Sequence, residues 1–476
     1  MQKSGAITLA DVVQGLSDVR LPELERQPTR VVLDSRQIQP GQVFVALRGE
    51  RADGHDFVGH ALAQGAVLAI VSRPVDTPAP VIDLTAAEPV LPAAWTMPAL
   101  LRVPDTVKAL QQLAAFWRRR HSPRVIGITG SVGKTTTKEL VADILAQRYV
   151  TLKSEQSYNN EIGLPITLLE LTTGHERVVL EMGMYDVGEI AGLAHIALPH
   201  VGVVTIIGPV HLERALTMER IVQAKTELVQ ALPPGPEGAA ILNYDEPLVL
   251  GMRDATRAQV MTYGISPDAD LWADDIESLG LEGIRFRMHY RGETIHAKVP
   301  LLGRHSVHTA LRATAVGLVE NLTWQEIMEG LRTPSPQLRL VAVRGPQGAT
   351  ILDDTYNASP ASTIAALNLL EDLPGRKIAV LGDMLELGDY EREGHEKVGM
   401  RALEVVDALI AVGDRGRIIG ETAIRWGMPA HQVHLVKDNA AAICLLAEMV
   451  GENDVILVKG SRSMGMEEIV NALGRS

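Results

Sequence analysis

The chain has 476 residues, of which 46% are hydrophobic and 22% are charged, and its formal net charge is -13. This length predicts about three domains of ordinary size, and the composition excludes a disordered chain, which would be poor in apolar residues and highly charged. The 58 acidic residues outnumber the 45 basic ones. We therefore expect no nucleic-acid partner, because a phosphate backbone requires a basic face.

The sequence gives no sign of export or membrane insertion. The first residues, MQKSGAITLADVVQG, lack the uninterrupted apolar core of a signal peptide, and no later stretch reaches about 18 charge-free apolar residues. The single cysteine, Cys444, excludes an intramolecular disulfide, and its apolar run from 440 to 450 predicts a helix with a buried structural thiol. We expect a cytoplasmic protein, and we also expect a monomer.

Proline-rich segments divide the chain. Seven of the 26 prolines fall between Pro74 and Pro104, and proline at this density is expected to break both helix periodicity and strand pairing. A second break, at 333–336, follows a predicted helix from Trp324 to Leu331. The predicted domains are 1–103, 104–334 and 335–476.

The elements of the last two domains predict an α/β fold. The middle domain opens with a helical pattern and continues with apolar runs at 125–129, 178–180 and 201–207, which predict strands of a mainly parallel sheet. The last domain alternates strands with helices in a doubly wound, Rossmann-like pattern. Its predicted strands are 349–352, 378–381, 408–412 and 455–458.

The segment GITGSVGKTTTKEL lies between the strand at 125–129 and a predicted helix. Glycines let backbone N–H groups close around phosphate, Lys134 can reach terminal phosphates, and the Thr135 hydroxyl can ligate Mg²⁺. The usual spacing asks for glycine where Ile128 stands, so the loop is a variant. The alternative is a glycine turn with a solvated lysine.

Three further residues are candidates for the same site. Glu181 ends a predicted strand at the sheet edge where ligands bind, and it is either a magnesium ligand or a solvated acid. His211 follows the next strand and is either a ligand or a polar surface residue. Lys225 interrupts the apolar face of a predicted helix, so it either snorkels to water or is a desolvated amine open to chemical modification. Periodicity alone favours snorkelling.

Motifs along essentially the whole chain resemble the Mur ligase family. The N-terminal segment VVLDSRQIQPGQVFVALRGERADGHDF resembles a UDP-binding domain of that family. The middle segments SYNNEIGLPITLL and VVLEMGMYDVGEI, and the C-terminal segments DDTYNASP, VLGDMLELGDYEREGH and VKGSRSMGMEEIV, are similar to family sequences as well. The C-terminal motifs resemble the branch that adds D-alanyl-D-alanine to UDP-N-acetylmuramoyl-tripeptide, and the Asp-Asn-Pro-Arg element of the diamino-acid-adding branch is absent.

The resemblance implies an N-terminal UDP-binding α/β domain, a central P-loop ATPase-like domain and a C-terminal Rossmann-like ligase domain. It also implies ATP and Mg²⁺ as cofactors, and a carbamylated Lys225, which reverses the preference for snorkelling. The implied catalytic residues are Lys134, Lys225 and His211. The implied ATP-binding residues are Gly130, Ser131, Gly133, Lys134, Thr135, Thr136, Arg339 and Asp354. The implied magnesium ligands are Thr135, Glu181 and His211, and the implied substrate-binding residues are Ser35, Arg36, Asn159, Asn160, Tyr356 and Asn357.

The implied activity is ATP-dependent ligation of D-alanyl-D-alanine through an acyl phosphate in peptidoglycan precursor synthesis, with closure of a hinge near 332–336. The alternatives are a sibling ligase that adds another amino acid and a noncatalytic ATP-dependent binding module. One segment departs from the family, since His305-Ser306-Val307-His308-Thr309 replaces the common His-Asn-Val-x-Asn. This departure leaves the adenine contacts open.

Overall fold

The computed structural model describes residues 5–21, 24–25, 27–49, 52–86, 96–155, 158–209, 217–332 and 341–474. Its helices are α1 (Leu9–Ser17), α2 (Val58–Ala63), α3 (Thr106–Arg119), α4 (Lys134–Leu145), α5 (Gly163–Leu168), α6 (Glu189–Ala197), α7 (Met218–Gln230), α8 (Pro247–Leu250), α9 (Ser306–Val319), α10 (Trp324–Arg332), α11 (Pro360–Glu371), α12 (Glu391–Val405), α13 (Gly413–Arg425), α14 (Asn439–Met449) and α15 (Glu467–Leu473). None of the described helices is long and apolar enough to cross a membrane.

The strands, in chain order, are β1 (Val31–Val32), β2 (Val43–Val45), β3 (Leu68–Val71), β4 (Val81–Asp83), β5 (Ala99–Arg102), β6 (Arg124–Thr129), β7 (Thr151–Lys153), β8 (Arg177–Glu181), β9 (Val201–Val204), β10 (Ala239–Asn243), β11 (Gln259–Gly264), β12 (Leu271–Ser278), β13 (Ile284–Tyr290), β14 (Glu293–Val299), β15 (Val341–Arg344), β16 (Thr350–Asp353), β17 (Arg376–Leu381), β18 (Ala408–Val412), β19 (Val433–Val436) and β20 (Asp454–Lys459).

The chain forms two compact units. The first comprises Met1–Gly127, Tyr149–Met184 and Gly188–His200, and the second comprises Ile128–Arg148, Tyr185–Val187 and Val201–Ser476. The boundary falls inside β6, whose last two residues belong to the second unit.

The first unit contains a five-stranded parallel sheet in the order β1-β2-β3-β5-β4. The expectation that the proline-rich stretch breaks strand pairing is wrong, because β4 and β5 lie inside this stretch and pair with each other. Pro80 and Pro98 directly precede these strands rather than interrupting them, and the Pro80 carbonyl still accepts a hydrogen bond from the Leu100 N–H at 2.8 Å. Proline lacks only a donor, so it is tolerated at the start of a strand.

In the second unit, strands β9, β10, β11 and β12 form a parallel run, which agrees with the mainly parallel sheet expected for the middle domain, although β9 alone of these four was predicted. β13 and β14 then add antiparallel to β12. These two strands were also not predicted. Their side chains alternate between buried and exposed, and charged pairs such as Arg287 with Asp274 cover the exposed face, so they carry no continuous apolar run.

The last sheet has the order β15-β16-β20-β17-β18-β19, with every pair parallel except β15 with β16. Alternate residues of β17 enter two different cores, since Ala379 and Leu381 pack in one and Ile378 and Val380 in the other. Both faces of the sheet are therefore covered, and the predicted doubly wound architecture is confirmed.

The prediction that Cys444 is a buried structural thiol is wrong, because this residue is exposed. Helix α14 buries Ala442 and Leu446. Cys444 lies two residues from each, and at about 100° per residue this turns its side chain away from the core face. An apolar run in a short helix thus does not specify which of its positions is buried.

Candidate active site

The predicted phosphate loop joins β6 to α4 within the second unit. Gly133 precedes the helix with φ 84° and provides no side-chain cap. The first N–H groups of any helix have no partner inside the helix, so this end is suited to an anion. Ile128 lies inside β6 and is fully buried. The tight glycine position is instead Gly130, whose φ is 145° and whose added Cβ would lie 1.8 Å from Thr205 Oγ1.

The loop is held by the chain that follows β9. The Ser131 N–H donates to the Ile206 carbonyl at 2.7 Å, and the Ser131 hydroxyl donates to the Gly208 carbonyl at 2.9 Å. The Thr205 hydroxyl donates to the Val132 carbonyl at 2.7 Å. These bonds fix the loop backbone before any ligand arrives, and such preorganisation lowers the cost of binding.

Lys134 opens α4, and its side chain folds back over the loop. Its Nζ donates to the Gly130 carbonyl at 2.9 Å and to the Ser131 carbonyl at 3.4 Å. The ammonium is therefore bonded to the loop backbone, which disfavours the alternative of a glycine turn with a solvated lysine. Thr135 and Thr136 follow in the first turn of the same helix.

Lys225 lies in the middle of α7, and it is one of the largest fully buried side chains of the described residues. Burial lowers the pKa of its amine well below the ordinary value, and the charge of Lys134 lowers it further. Snorkelling, which periodicity alone favoured, is therefore wrong. A buried neutral amine is a nucleophile that can be modified.

Helix α9 begins with the residues that depart from the family pattern. His305 precedes the helix, and burial lowers the pKa of its imidazole, whereas the charge of Asp354 acts in the opposite direction. His308 Nε2 lies 2.9 Å from Asp245 Oδ2. One turn further, Arg312 is 3% exposed, and its Nη2 donates to the Thr309 hydroxyl at 2.6 Å.

Asp354 follows β16, and Lys459 ends β20 beside it. The buried Lys459 Nζ donates to Asp354 Oδ2 at 2.7 Å and to the Asn357 carbonyl at 2.9 Å. Asp353, the last residue of β16, builds an Asx turn, since its Oδ1 accepts from the Thr355 N–H at 3.1 Å. Tyr356 is 52% exposed.

Glu181 ends β8 in the first unit, where it is 1% exposed. Its Oε1 accepts a hydrogen bond from Asn159 Nδ2 at 2.7 Å. The alternative of a solvated strand-end acid is therefore wrong. Asn160, the next residue, accepts from the Ile162 and Gly163 N–H groups with its side-chain oxygen, so it shapes the turn into α5.

Ser35 and Arg36 lie in a short 3₁₀ turn of the first unit. Ser35 is buried, whereas the Arg36 side chain is 84% exposed and paired with Asp34, Nη2 to Oδ2, at 2.7 Å. Hydrogen bonds from Arg36 hold the pKa of Asp34 at about 2. The guanidinium is thus oriented by a carboxylate while it stays open to solvent.

Two predicted residues, His211 and Arg339, lie outside the described residues, and so does the hinge segment 333–336. Arg312, Thr205 and Lys459 were not predicted. A cation within the small, apolar run TALRATAVG was the signal for Arg312. Among the residues that the structure describes, no group of three or more His, Cys, Asp or Glu side chains could hold a metal ion.

Comparison with known proteins matches three families in succession along the chain. They are the Mur ligase family, catalytic domain, at residues 28–118, the Mur ligase middle domain at residues 128–317, and the Mur ligase, glutamate ligase domain at residues 338–462. The chain is 35% identical to the UDP-N-acetylmuramoyl-tripeptide--D-alanyl-D-alanine ligase of Bacillus subtilis over an alignment of 480 positions that covers 99% of each protein.

Two solved structures are similar over almost the whole chain. MurF from Acinetobacter baumannii superposes with a TM-score of 0.84 at 30% identity, and the match covers 100% of both chains. MurF ligase from Thermotoga maritima, in complex with ADP, gives a TM-score of 0.77 at 28% identity and covers 94% of this chain and 97% of its own.

Proposed function

This chain belongs to the Mur ligase family, and we propose that it is the ATP-dependent ligase that joins D-alanyl-D-alanine to the terminal carboxylate of UDP-N-acetylmuramoyl-tripeptide. The product is a peptidoglycan precursor. The proposed location is the cytoplasm, where ATP is available.

The phosphate loop of the second unit is the observation that carries the proposal. Its backbone is held by Thr205 and the chain after it, and the Lys134 ammonium donates to its Gly130 carbonyl. A carboxylate and an amine do not condense in water unless the carboxylate first receives a good leaving group. A site that cradles a nucleotide polyphosphate supplies that group.

In the proposed reaction, a carboxylate oxygen of the tripeptide attacks the γ-phosphorus of ATP, and ADP departs. The amine of the dipeptide then attacks the acyl carbon, inorganic phosphate leaves, and the amine loses a proton. The first step brings two anions together, so Lys134 lowers its barrier by offsetting phosphate charge. We assign the same role to Arg339.

Thr135 and Glu181 would hold Mg²⁺, with His211 as the third proposed ligand. Hydroxyl and carboxylate oxygens are the hard donors that Mg²⁺ prefers, and this ion usually takes only one or two carboxylates together with substrate phosphates. A donor set without a cluster of acids therefore fits the ion. When bound, it neutralises phosphate charge.

Lys225 is the proposed site of carbamylation. Its amine is buried, and its lowered pKa favours the neutral form. That form adds to carbon dioxide and loses a proton, which gives an anionic carbamate. The side chain would then present oxygens where it otherwise presents an amine.

The remaining predicted contacts are also proposals. Ser35 and Arg36 would bind the UDP diphosphate, because a serine hydroxyl and a guanidinium donate to phosphate oxygens. Asn159, Asn160, Tyr356 and Asn357 would bind the other substrates, and Asp354 with Gly130, Ser131, Gly133 and Thr136 would bind ATP. The domain limits 1–103, 104–334 and 335–476 are retained as a proposal.

Phosphate release is the experiment that tests the proposal. The purified protein receives ATP, Mg²⁺ and UDP-N-acetylmuramoyl-tripeptide, with D-alanyl-D-alanine, with single amino acids, or with neither. Release that requires the dipeptide is expected. Release with a single amino acid alone would indicate a sibling ligase, and ADP binding without any amine-dependent release would indicate a noncatalytic binding module.

A further inference from the structure

Arg312 is a buried arginine directly beside the phosphate loop. It is 3% exposed on α9, and a Cβ added at Gly133 would lie 3.2 Å from its Nη2. Gly133 is the last residue of the loop before α4. The guanidinium therefore lies next to the helix end that is suited to an anion.

The hydrogen bonds of this guanidinium are incomplete. Nη2 donates to the Thr309 hydroxyl, whereas Nε and Nη1 are buried without a hydrogen-bond partner. Burying a cation without full pairing costs free energy, so such a group calls for an explanation.

The neighbouring polar groups do not supply a counter-charge. Burial raises the pKa of the Tyr263 hydroxyl, which keeps this neighbour neutral, although the charge of Arg312 and a hydrogen bond with it act in the opposite direction. The carboxylate of Asp245 is bonded to His308, and that of Asp354 is bonded to Lys459. Over the described residues, no carboxylate forms an ion pair with Arg312.

A second buried arginine shows what a purely structural role looks like. Arg118 on α3 is 4% exposed, and its guanidinium donates to four backbone carbonyls, those of Ala197, His121, Pro123 and Leu198. These acceptors use all three of its nitrogens. Arg312 has the same burial but lacks such acceptors, so burial alone does not explain its contacts.

We propose that Arg312 is a further nucleotide-binding residue, whose guanidinium contacts a phosphate of the nucleotide held by the loop at Gly133. The inference rests on the proposed ATP-dependent function. The planar guanidinium donates parallel hydrogen bonds that match the spacing of phosphate oxygens. A bound phosphate would therefore accept the hydrogen bonds that no protein group accepts. Together with Lys134, it gives the polyphosphate a second cation from a different helix.

Calorimetric titration with ADP tests this proposal on wild type, Arg312→Met and Arg312→Lys. Arg312→Met is expected to raise the Kd for ADP by roughly ten- to a hundredfold, because a charge-assisted hydrogen bond is lost. Arg312→Lys is expected to lie between the two. Without nucleotide, the Tm of Arg312→Met is expected to equal or exceed that of wild type, since an unpaired buried charge is removed.

Arg118→Lys is the matched control, and it is expected to lower Tm while the Kd for ADP stays at the wild-type value. Unchanged ADP affinity in Arg312→Met would overturn the inference while the proposed function stands. Should Arg312→Met not fold, wild-type affinity in Arg312→Lys together with a lower Tm would overturn it as well. Wild type that binds ADP but releases no phosphate would refute the proposed function alone.

Discussion

At the scale of single residues, Gly130 shows most directly how the backbone of the loop is specified. Its φ of 145° and the closeness of Thr205 Oγ1 leave no room for a Cβ. Gly130→Ala is therefore expected to displace the loop and to raise the Kd for ADP by at least about tenfold, because the backbone donors no longer converge. Calorimetric titration measures this change.

Gly292→Ala is the control for backbone strain. Gly292 has φ 84° in the turn between β13 and β14, and a Cβ there would meet nothing within 4 Å. This variant is expected to lose about 1 kcal/mol of stability while it binds ADP as wild type does. ADP binding by Gly130→Ala at wild-type strength would contradict the role given to the loop.

The proposed carbamate of Lys225 leads to a second prediction. Lys225→Ala is expected to lower kcat by at least about a hundredfold, because an anionic group is lost near the phosphates. Formate is small enough to enter the space that is left, and it is expected to restore part of the rate. Chloride at equal ionic strength is the control, and equal rates with both anions would contradict the carbamate.

At this scale, the sequence predicted the residues of the phosphate loop better than it predicted which distant residues contact the site. Strand, glycines, Lys134 and Thr135 are contiguous, so their spacing alone predicts a phosphate loop. Arg312 lies beside the loop, and Lys459 contacts Asp354, only because the tertiary fold brings these distant segments together. Contacts between residues far apart in the sequence cannot be predicted from local patterns. An arginine among small apolar residues does indicate a buried cation that needs a polar partner.

At the scale of elements, the N-terminus of α3 depends on one carboxylate. Asp105 Oδ1 accepts from the Val107 and Lys108 N–H groups at 2.8 and 3.0 Å. Asp105→Ala is expected to lower the free energy of unfolding by about 1 kcal/mol, and Asp105→Ser by only a few tenths, because serine also caps. Urea denaturation measures both, and equal losses in the two variants would refute the capping role.

The strands that the sequence predicted have continuous apolar runs, although one strand with such a run, β10, was not predicted. All four predicted strands of the last sheet are present, with limits that differ by at most two residues. Strands β13 and β14 were not predicted, because half of their side chains face solvent. The proline-rich stretch was misjudged because prolines that flank a strand leave its pairing intact.

At the scale of the whole molecule, several ionised carboxylates stabilise the folded chain at neutral pH and make its stability fall in acid. Hydrogen bonds from Arg148 and Thr323 hold the pKa of Glu326 at about 2, and Arg36 does the same for Asp34. The unfolded chain takes up these protons at higher pH than the folded chain. Stability is therefore present above about pH 4.5 and is lost as pH falls from there to about 2.

Glu326→Gln is expected to make the free energy of unfolding depend less steeply on pH in acid, since one carboxylate with a lowered pKa is removed. The free energy of unfolding, measured by urea denaturation between pH 5 and pH 3, gives the slope for wild type and for the variant. An identical slope in both would show that Glu326 does not contribute.

The division of the whole chain was less predictable than its fold class. Composition and proline breaks predicted three segments, and three family matches follow one another along the chain. The compact units, however, are discontinuous, and Leu302 packs against the core that contains Leu352 and Leu381. A domain boundary predicted from the sequence marks a change in the pattern of helices and strands. The limits of a compact unit depend instead on contacts between segments that are distant in the sequence.

Isotope transfer tests the proposed ligase mechanism most directly. UDP-N-acetylmuramoyl-tripeptide labelled with ¹⁸O in its terminal carboxylate is incubated with ATP, Mg²⁺ and D-alanyl-D-alanine, and the released phosphate is analysed by mass. Attack of that carboxylate on the γ-phosphorus predicts one ¹⁸O in each phosphate, together with a product that has gained the dipeptide. Phosphate that carries no ¹⁸O would show that the carboxylate is not activated by phosphorylation, and it would contradict the mechanism.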